Sequence, residues 1–212
     1  MGHPLITALE RQQRDARRVS VFLDEEFAFG VVDDVVYRFG LAKGMEMPPE
    51  LRARIEADNA VLEARRAAER SLARRMRTGK EMAVYLRGKD FPEAAIAAVV
   101  EDLTRVNLLD DRAFAEAFVR DRLRFRPRSR AVIERELLAK GVEKSVVRAV
   151  LAELLGDETE WSTALALAEK FLRQHASLEE DARKRRVFGF LQRKGYSPSG
   201  IFRVLHALGL DA

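Results

Sequence analysis

The sequence predicts a mainly all-α protein, an elongated array of tandem three-helix repeats preceded by a small N-terminal β-hairpin or β-sheet module. Three observations support this fold class. A short unit occurs three times along the chain at nearly constant spacing, which is the signature of repeat architectures. The chain is rich in alanine and arginine and poor in proline and glycine, a composition that favours helices. Segments with strand propensity are confined to the first 47 residues.

The repeated unit consists of a leucine, a lysine three residues later, a residue suited to positive φ, and an apolar residue. Its copies occupy residues 86–91, 137–142 and 191–196. The same offsets of 51 residues (86 to 137) and 54 residues (137 to 191) relate the apolar positions that follow each copy. This period slightly exceeds that of most helical solenoid repeats.

Each copy is predicted to be a helix, a tight turn and a second, amphipathic helix. The lysine suits the negative C-terminal end of the first helix. Gly141 and Gly195 then supply the left-handed residue that closes a helix without a Cβ clash. Asp90 takes that place in the first copy, at a higher conformational cost. Pro92 and Pro198 lie at the start of the following helix, where a missing N–H costs nothing.

The composition limits the class of protein. The 212 residues carry a net charge of +4, so the arrangement of charge matters more than its sum. Cysteine is absent, which excludes disulfides and thiolate chemistry and is expected of a reducing compartment. No apolar run approaches the length of a membrane span, and the N-terminus lacks the apolar core of a signal peptide. We therefore expect a soluble cytoplasmic protein that does not contact a membrane. We also expect it to be a monomer.

The N-terminal module is predicted to span residues 1–47. Residues 19–23 and 27–31 are short β-prone runs around an acidic turn, which predicts a hairpin. Residues 5–12 suit either a strand or a helix. Asp33 or Asp34 could cap a short helix that follows. Because two strands alone are marginally stable, a third strand or neighbouring helices must cover the hairpin.

The helical part is predicted to comprise three divisions: a linking helix and first three-helix repeat at 48–125, a second repeat at 126–180, and a third, truncated repeat at 181–212. The linking helix is predicted over about residues 50–76, with Asp58-Asn59 as a candidate break. Residues 78–81 predict a capping box for the next helix. Asp110 or Asp111 is predicted to cap the helix after the first repeat turn.

Three basic clusters are the candidate contact sites. The first lies at the end of the predicted linking helix, the second alternates along residues 120–130 with Phe125 among its arginines, and the third precedes the last repeat turn. Their members are Arg74, Arg75, Arg77, Arg120, Arg122, Arg124, Arg126, Arg128, Arg130, Arg183, Lys184, Arg185 and Arg186.

The second cluster has two interpretations. If its second half is extended, as Pro127 encourages, alternate arginines share one side and suit phosphate contact beside an aromatic that can stack on a base. Alternatively, the cluster is a solvated linker whose arginines pair with acids such as Glu134 and Glu136.

The residues that catalysis needs are not arranged for it. The three histidines are scattered without metal-ligand spacing, and there is no phosphate-cradling glycine loop and no nucleophile elbow. We expect no enzymatic activity, no cofactor and no metal. Trp161 fits a core position on a predicted helix, and the alternative is that it stacks on a ligand.

The chain resembles the RecX family in three features. These are residues 75–81 before the first repeat turn, residues 107–115 after it, and the recurring Lys-Gly turns. The resemblance runs from about residue 65 to the C-terminus. It also includes residues 19–44, which resemble a β-extension of some members in which residues near Ile6 form a further strand. The chain departs from the family pattern at Asp90, where Gly is frequent, and at residues 126–128, which replace a stretch usually richer in Gly.

RecX proteins are bacterial regulators of the RecA recombinase. The resemblance implies an array lying along the groove of the RecA–DNA filament, where it bridges protomers and restrains ATP hydrolysis, strand exchange and filament growth in DNA repair, recombination and the SOS response. The basic clusters could meet either the phosphates of single- and double-stranded DNA or acidic patches on the recombinase, and the sequence does not separate these targets.

Two other functions are compatible with the repeat. A helix-turn-helix with basic flanks is also how many repressors bind DNA. However, the second helix of the first copy, residues 92–105, carries acids and alanine rather than base-reading side chains. The third interpretation is a structural scaffold whose arginines only keep it soluble.

Overall fold

The computed structural model describes residues 2–13, 15–176 and 179–210. It confirms a mainly helical chain with an N-terminal antiparallel sheet, and it separates into two compact units, Met1–Met76 with Met82–Leu108, and Arg77–Glu81 with Leu109–Ala212. The strands are β1 (Ile6–Gln12), β2 (Asp15–Leu23) and β3 (Glu26–Val32). The helices are α1 (Asp33–Phe39), α2 (Pro49–Leu72), α3 (Gly79–Arg87), α4 (Glu93–Arg105), α5 (Asp111–Phe125), α6 (Arg130–Ala139), α7 (Lys144–Leu154), α8 (Asp157–Gln174), α9 (Glu180–Arg193) and α10 (Pro198–Ala207).

The N-terminal sheet has the strand order β1-β2-β3, and both pairs are antiparallel. The predicted hairpin is confirmed: Asp24 and Glu25 connect β2 to β3 with φ of 49° and 74°, as a tight hairpin turn of primed type requires. The ambiguous segment at 5–12 forms the third strand. Val21 and Val31 of the sheet are fully buried and share a core with α1 and α2. This packing supplies the cover that a two-stranded hairpin lacks.

The two acids at the start of α1 do not cap it, so that prediction was wrong. The N-cap residue is Val32, whose side chain has no acceptor. Asp33 and Asp34 lie in the first turn, where negative charge suits the helix dipole. Arg66 Nη2 lies 2.8 Å from Asp34 Oδ2 and 3.6 Å from Asp33 Oδ1. The acids therefore join α1 to α2.

Helix α2 is continuous, and the break proposed at Asp58-Asn59 was wrong. Asn59 is buried, and its Oδ1 accepts a hydrogen bond from the backbone N–H of Val32 at 2.8 Å. That N–H belongs to the N-cap of α1 and would otherwise lack an acceptor. The polar residue in the middle of α2 thus marks a tertiary hydrogen bond and not a helix end.

We expect Asn59→Ala to lower the free energy of unfolding by about 1–3 kcal/mol, because it leaves the buried Val32 N–H without an acceptor. Urea unfolding followed by circular dichroism measures the change. Arg54→Ala, on the exposed side of the same helix, is the control and should stay within about 0.5 kcal/mol of the original chain. Equal stability of the two variants would contradict the role of this hydrogen bond.

The rest of the first unit is helical and packs α4 against α2. Leu86, Ile96 and Leu103 are buried, at the positions that the repeat predicts. Arg65 forms ion pairs with Glu69 on its own helix and with Asp102 on α4. These contacts neutralise part of the basic second half of α2.

The second unit contains two three-helix groups, each with its own core. Helices α5–α7 enclose one core and α8–α10 enclose another. The largest buried side chains of the two groups include Ile133, Leu137, Leu151, Leu191 and Ile201. The cores thus group the helices differently from the sequence-based division, which begins new repeats at residues 126 and 181. That division into repeats stays a prediction.

Two Lys-Gly turns are docked in the same way within the second unit. Thr78 Oγ1 donates to the carbonyl oxygen of Lys140 at 2.6 Å, and the N–H of Ser129 donates to the carbonyl oxygen of Lys194 at 3.1 Å. Thr78 and Ser129 each also cap a helix, accepting from the N–H three residues ahead. The cap of one helix therefore satisfies a free carbonyl at the end of another.

Thr78 caps α3 as the predicted capping box requires, because the N–H of Glu81 donates to Thr78 Oγ1 at 3.1 Å. The Glu81 carboxylate accepts from Lys140 Nζ at 2.7 Å. Asp110 is the predicted cap of α5 and accepts from the N–H of Ala113. Its neighbour Asp111 accepts from the N–H of Gly79 at 2.9 Å. The second acid thus holds the start of α3.

The docking explains why two repeat turns have glycine and one does not. Gly141 and Gly195 have φ of 91° and 89°, and a Cβ on them would lie 2.4 Å from Lys80 Cβ and 2.3 Å from Val132 Cγ2, respectively. Asp90 has φ of 62° but is exposed to solvent. The residue in the first turn therefore needs only to adopt a positive φ, a conformation that aspartate tolerates.

Candidate nucleic-acid interface

The second basic cluster is divided between a helix and a loop. Helix α5 continues through Phe125, so Arg120, Arg122 and Arg124 do not alternate along an extended chain. Arg122 Nε lies 2.8 Å from Glu136 Oε2, and Arg120 Nη2 lies 3.2 Å from Glu116 Oε2. Arg120 and Arg122 are therefore partly neutralised, as the linker interpretation proposed.

Residues 126–129 lie outside the helices and place Arg126 and Arg128 at the edge of a cavity of about 300 Å³. Arg128 Nη1 donates to the carbonyl oxygen of Arg193 at 3.2 Å, which fixes its position. Arg130 begins α6 instead, and its backbone N–H donates to Glu160 Oε1 at 2.7 Å. Arg126 and Arg128 of the second cluster thus line this cavity, whereas Arg130 does not.

The far side of the cavity adds more cations and several aromatic rings. Lys170 of α8 and Lys194 after α9 line it with Phe125, Phe171 and Phe190. No carboxylate belongs to the described residues that line it. The side chain of Phe125 is 65% exposed, so its ring is open to a ligand. Cations beside open rings are the arrangement that binds single-stranded nucleic acid.

The positive charge in this cavity is not balanced by the described residues that line it. Burial lowers the pKa of Lys194, and the neighbouring Arg128 guanidinium lowers it further. Lys194 Nζ lies 5.2 Å from the centre of the Phe190 ring. An anion placed between these cations would offset their repulsion and raise the pKa of Lys194.

A second cavity of about 670 Å³ shares the lining residue Phe171 with the first. Its cations are Arg185, Arg186 and Arg193, and again no acid is found among the lining residues that the structure describes. The Phe171 ring is stacked between His175 at 4.2 Å and Phe190 at 4.6 Å. We call the two cavities together the basic groove. Its cations are Arg126, Arg128, Lys170, Arg185, Arg186, Arg193 and Lys194.

Four family models match the chain and together cover most of it. They are the N-terminal domain of the regulatory protein RecX at residues 4–48, and the first, second and third three-helix domains of RecX at residues 64–103, 110–151 and 158–205. The chain belongs to the RecX family. The third domain model includes α8, which the sequence-based division assigned to the second repeat.

Individual relatives agree with the family models. The chain is 33% identical over 193 residues to a regulatory protein RecX of Clostridium botulinum, with 90% of each chain covered. It is equally identical to one of Bacillus velezensis, over 91% of this chain and 73% of the relative. A crystal structure of a regulatory protein RecX matches 96% of this chain and 99% of that chain, with a TM-score of 0.74 and 26% identity. A second, of RecX from Lactobacillus salivarius, has a TM-score of 0.65 at 25% identity and covers 72% of this chain.

The basic groove of this RecX-family chain is built from its second and third three-helix domains. Arg126 and Arg128 fall within the second domain match, whereas Lys170 and Lys194 fall within the third. The docking of Ser129 on the carbonyl of Lys194 holds the two sides in place. Two of the predicted clusters therefore meet at one surface.

The remaining candidates lie elsewhere. Arg74 and Arg75 are exposed after the end of α2 in the first unit, and Arg77 is half-buried before α3 in the second. Arg183 and Lys184 are half-buried on α9, where Arg183 Nη2 donates to the carbonyl oxygen of Ala176. Their contact roles stay predictions.

Sequence reasoning missed three members of the basic groove. Lys170 is one of two cations on a helix that also carries acids, and Phe171 and Phe190 look like ordinary core residues. No local signal distinguishes them, because only the packing of α8 against α9 brings them beside Arg126.

The structure also bears on membrane and metal-dependent functions. No described helix is long and apolar enough to cross a membrane. Within the described ranges, no cluster of three histidine or acidic side chains could hold a metal ion.

Proposed function

We propose that this chain binds the filament that the RecA recombinase forms on DNA, and that it inhibits the ATPase activity, strand exchange and growth of that filament. The observation that carries the proposal is the basic groove, which gathers seven cations and three phenylalanine rings and has no carboxylate among its described lining residues. Membership of a family of regulatory proteins supports it. We infer the recombinase as the partner from the resemblance of the repeat turns to those of the RecX family.

The chemistry of the basic groove favours the DNA of the filament over the protein. Arginine and lysine neutralise phosphates and release counterions, which supplies most of the affinity of sequence-independent binding. Phe125 offers an exposed ring beside Arg126, and stacking on a base is available whatever the sequence. An acidic protein surface would use the charges but would make no use of the exposed Phe125 ring.

Repetition of small domains also suits a filament. Each three-helix domain can make a weak contact, and contacts joined along one chain act at high effective concentration. A chain bound across neighbouring protomers would oppose the changes that accompany ATP hydrolysis and subunit exchange. This accounts for inhibition without a catalytic group.

The test is the ATPase activity of RecA on single-stranded DNA, titrated with this protein at two salt concentrations. We expect inhibition below one chain per protomer. If about four phosphates are contacted, affinity for single-stranded DNA should fall about 50-fold between about 50 and 200 mM salt. Fluorescence anisotropy of a labelled oligonucleotide, measured without RecA, gives that slope directly. No inhibition at stoichiometric excess, together with tight binding to particular duplex sequences, would instead favour a repressor.

A further inference from the structure

A third cavity, of about 370 Å³, lies between α8 and α10 and differs in character from the basic groove. Its lining includes Glu160, Trp161, Tyr196 and Arg203, together with small residues such as Ala164. Asp157 at the start of α8 adds a second carboxylate at the rim. The cavity therefore combines acids, aromatic rings and hydrogen-bond donors in one place.

Two donors in this cavity are buried without an acceptor in the part of the chain that the structure describes. Tyr196 is only 5% exposed, and its hydroxyl has no hydrogen-bond partner among those residues. The indole Nε1–H of Trp161 is also buried and, within the same residues, also unpaired. Buried donors are rarely left unsatisfied, because each costs the free energy of its lost hydration. Burial and the Glu160 carboxylate raise the pKa of Tyr196, so its hydroxyl keeps the proton that it can donate.

The acceptors of the cavity are carboxylates. Glu160 Oε1 accepts from the backbone N–H of Arg130 at 2.7 Å, which holds the side chain in place. The Arg203 guanidinium lies 4.6 Å from the centre of the Trp161 ring and pairs with Glu158 at 3.2 Å. Its charge is therefore shared with an acid, and the cavity is a poor site for a phosphate. A neutral, planar group with one donor and two acceptors matches it.

The cavity is close to the basic groove along the chain. Lys194 lines the groove and Tyr196, two residues later, lines this cavity. Trp161 and Phe171 lie ten residues apart on α8, which is about 15 Å along the helix axis. A strand whose phosphates follow the groove can therefore place one of its bases in the cavity.

We infer that this cavity accepts a single nucleobase of a DNA strand lying in the basic groove, and that it selects cytosine over thymine. The exocyclic amine of cytosine donates to the Glu160 carboxylate, as acids do in reading this base. Its N3 and O2 atoms accept from Tyr196 and Trp161. Thymine presents a carbonyl to the carboxylate and an N–H to a donor, so both contacts become repulsive. The inference rests on the proposed contact between the groove and DNA.

The test compares the binding of oligo-dC and oligo-dT of equal length by competition anisotropy, with the full chain. We expect about tenfold tighter binding of oligo-dC. Tyr196→Phe and Trp161→Phe should each weaken the binding of oligo-dC and so reduce the preference, because each removes a donor to the cytosine base. Tyr37→Phe, at an exposed tyrosine of the first unit, is the matched control and should keep the full preference.

The outcomes separate this inference from the proposed function. Equal binding of the two oligonucleotides, or a preference that survives both variants, would overturn the base site and leave the DNA contact standing. Binding of neither oligonucleotide would refute the DNA contact and the base site together.

Thermal unfolding adds an independent check. Because the Tyr196 hydroxyl is unpaired within the described residues, Tyr196→Phe should leave the free chain as stable as the original or make it more stable. A clear loss of stability would show that the hydroxyl already has a hydrogen-bond partner in the free chain, which would contradict the inference.

Discussion

Replacement of Arg126, Lys170 and Lys194 by glutamate is expected to weaken inhibition of the RecA ATPase about 100-fold. Each substitution replaces a cation of the basic groove by a carboxylate, which would repel a phosphate instead of neutralising it. The salt dependence of binding to single-stranded DNA should fall in parallel, by about 0.7 of a unit of slope for each phosphate that the variant no longer neutralises. The measurements are the ATPase titration and the anisotropy of a labelled oligonucleotide at several salt concentrations.

A charge-matched variant keeps this test specific. Glutamate at Arg54, Arg135 and Arg148 changes the net charge by the same amount at exposed positions that do not line the basic groove. It should inhibit nearly as well as the original chain. Equally weak inhibition by the two triple variants would indicate a response to net charge alone. Full inhibition by a folded groove variant would place the contact elsewhere, with Arg74, Arg75 and Arg77 as the next candidates.

The parts of the fold that sequence predicts are those encoded locally. The turns at Gly141 and Gly195 are specified by a left-handed residue after a lysine, and the hairpin by an acidic turn between β-prone runs. Errors arose where a tertiary contact uses a residue with a strong local meaning. Asn59 was interpreted as part of a helix break. Its actual role is to accept a hydrogen bond from the N–H of Val32, and sequence did not reveal this because the two residues lie 27 positions apart.

The candidate site shows the same limit. Arg126 and Arg128 are predictable because charge and Pro127 are visible in one stretch of sequence. Whether an arginine is free or paired depends on neighbours from other helices, and Arg122 is partly neutralised by Glu136 of α6. The contribution of Phe171 becomes apparent only when α8 and α9 are placed side by side. Sequence thus identifies most of the arginines of the basic groove and Phe125, and packing adds Lys170, Phe171 and Phe190.

Gly195→Ala is expected to lower the free energy of unfolding by about 3 kcal/mol. A φ of 89° costs an alanine about 1–2 kcal/mol, and the new Cβ would lie 2.3 Å from Val132 Cγ2, an overlap that adds about 1–3 kcal/mol. Gly209→Ala is the control, because its φ of 68° imposes a similar conformational cost while nothing lies within 4 Å of the added atom. Urea unfolding of both variants therefore separates the backbone cost from the docking cost.

The same substitution connects stability to function. The turn that holds Gly195 also carries Lys194 into the basic groove and Tyr196 into the cavity between α8 and α10. Displacing it from Ser129 should shift Lys194 relative to Arg128, because the Ser129 N–H to Lys194 carbonyl bond fixes their separation. We therefore expect Gly195→Ala to weaken DNA binding at temperatures where the chain is still folded, whereas Gly209→Ala should not. Unchanged binding by a folded Gly195→Ala protein would show that the groove does not depend on this docking.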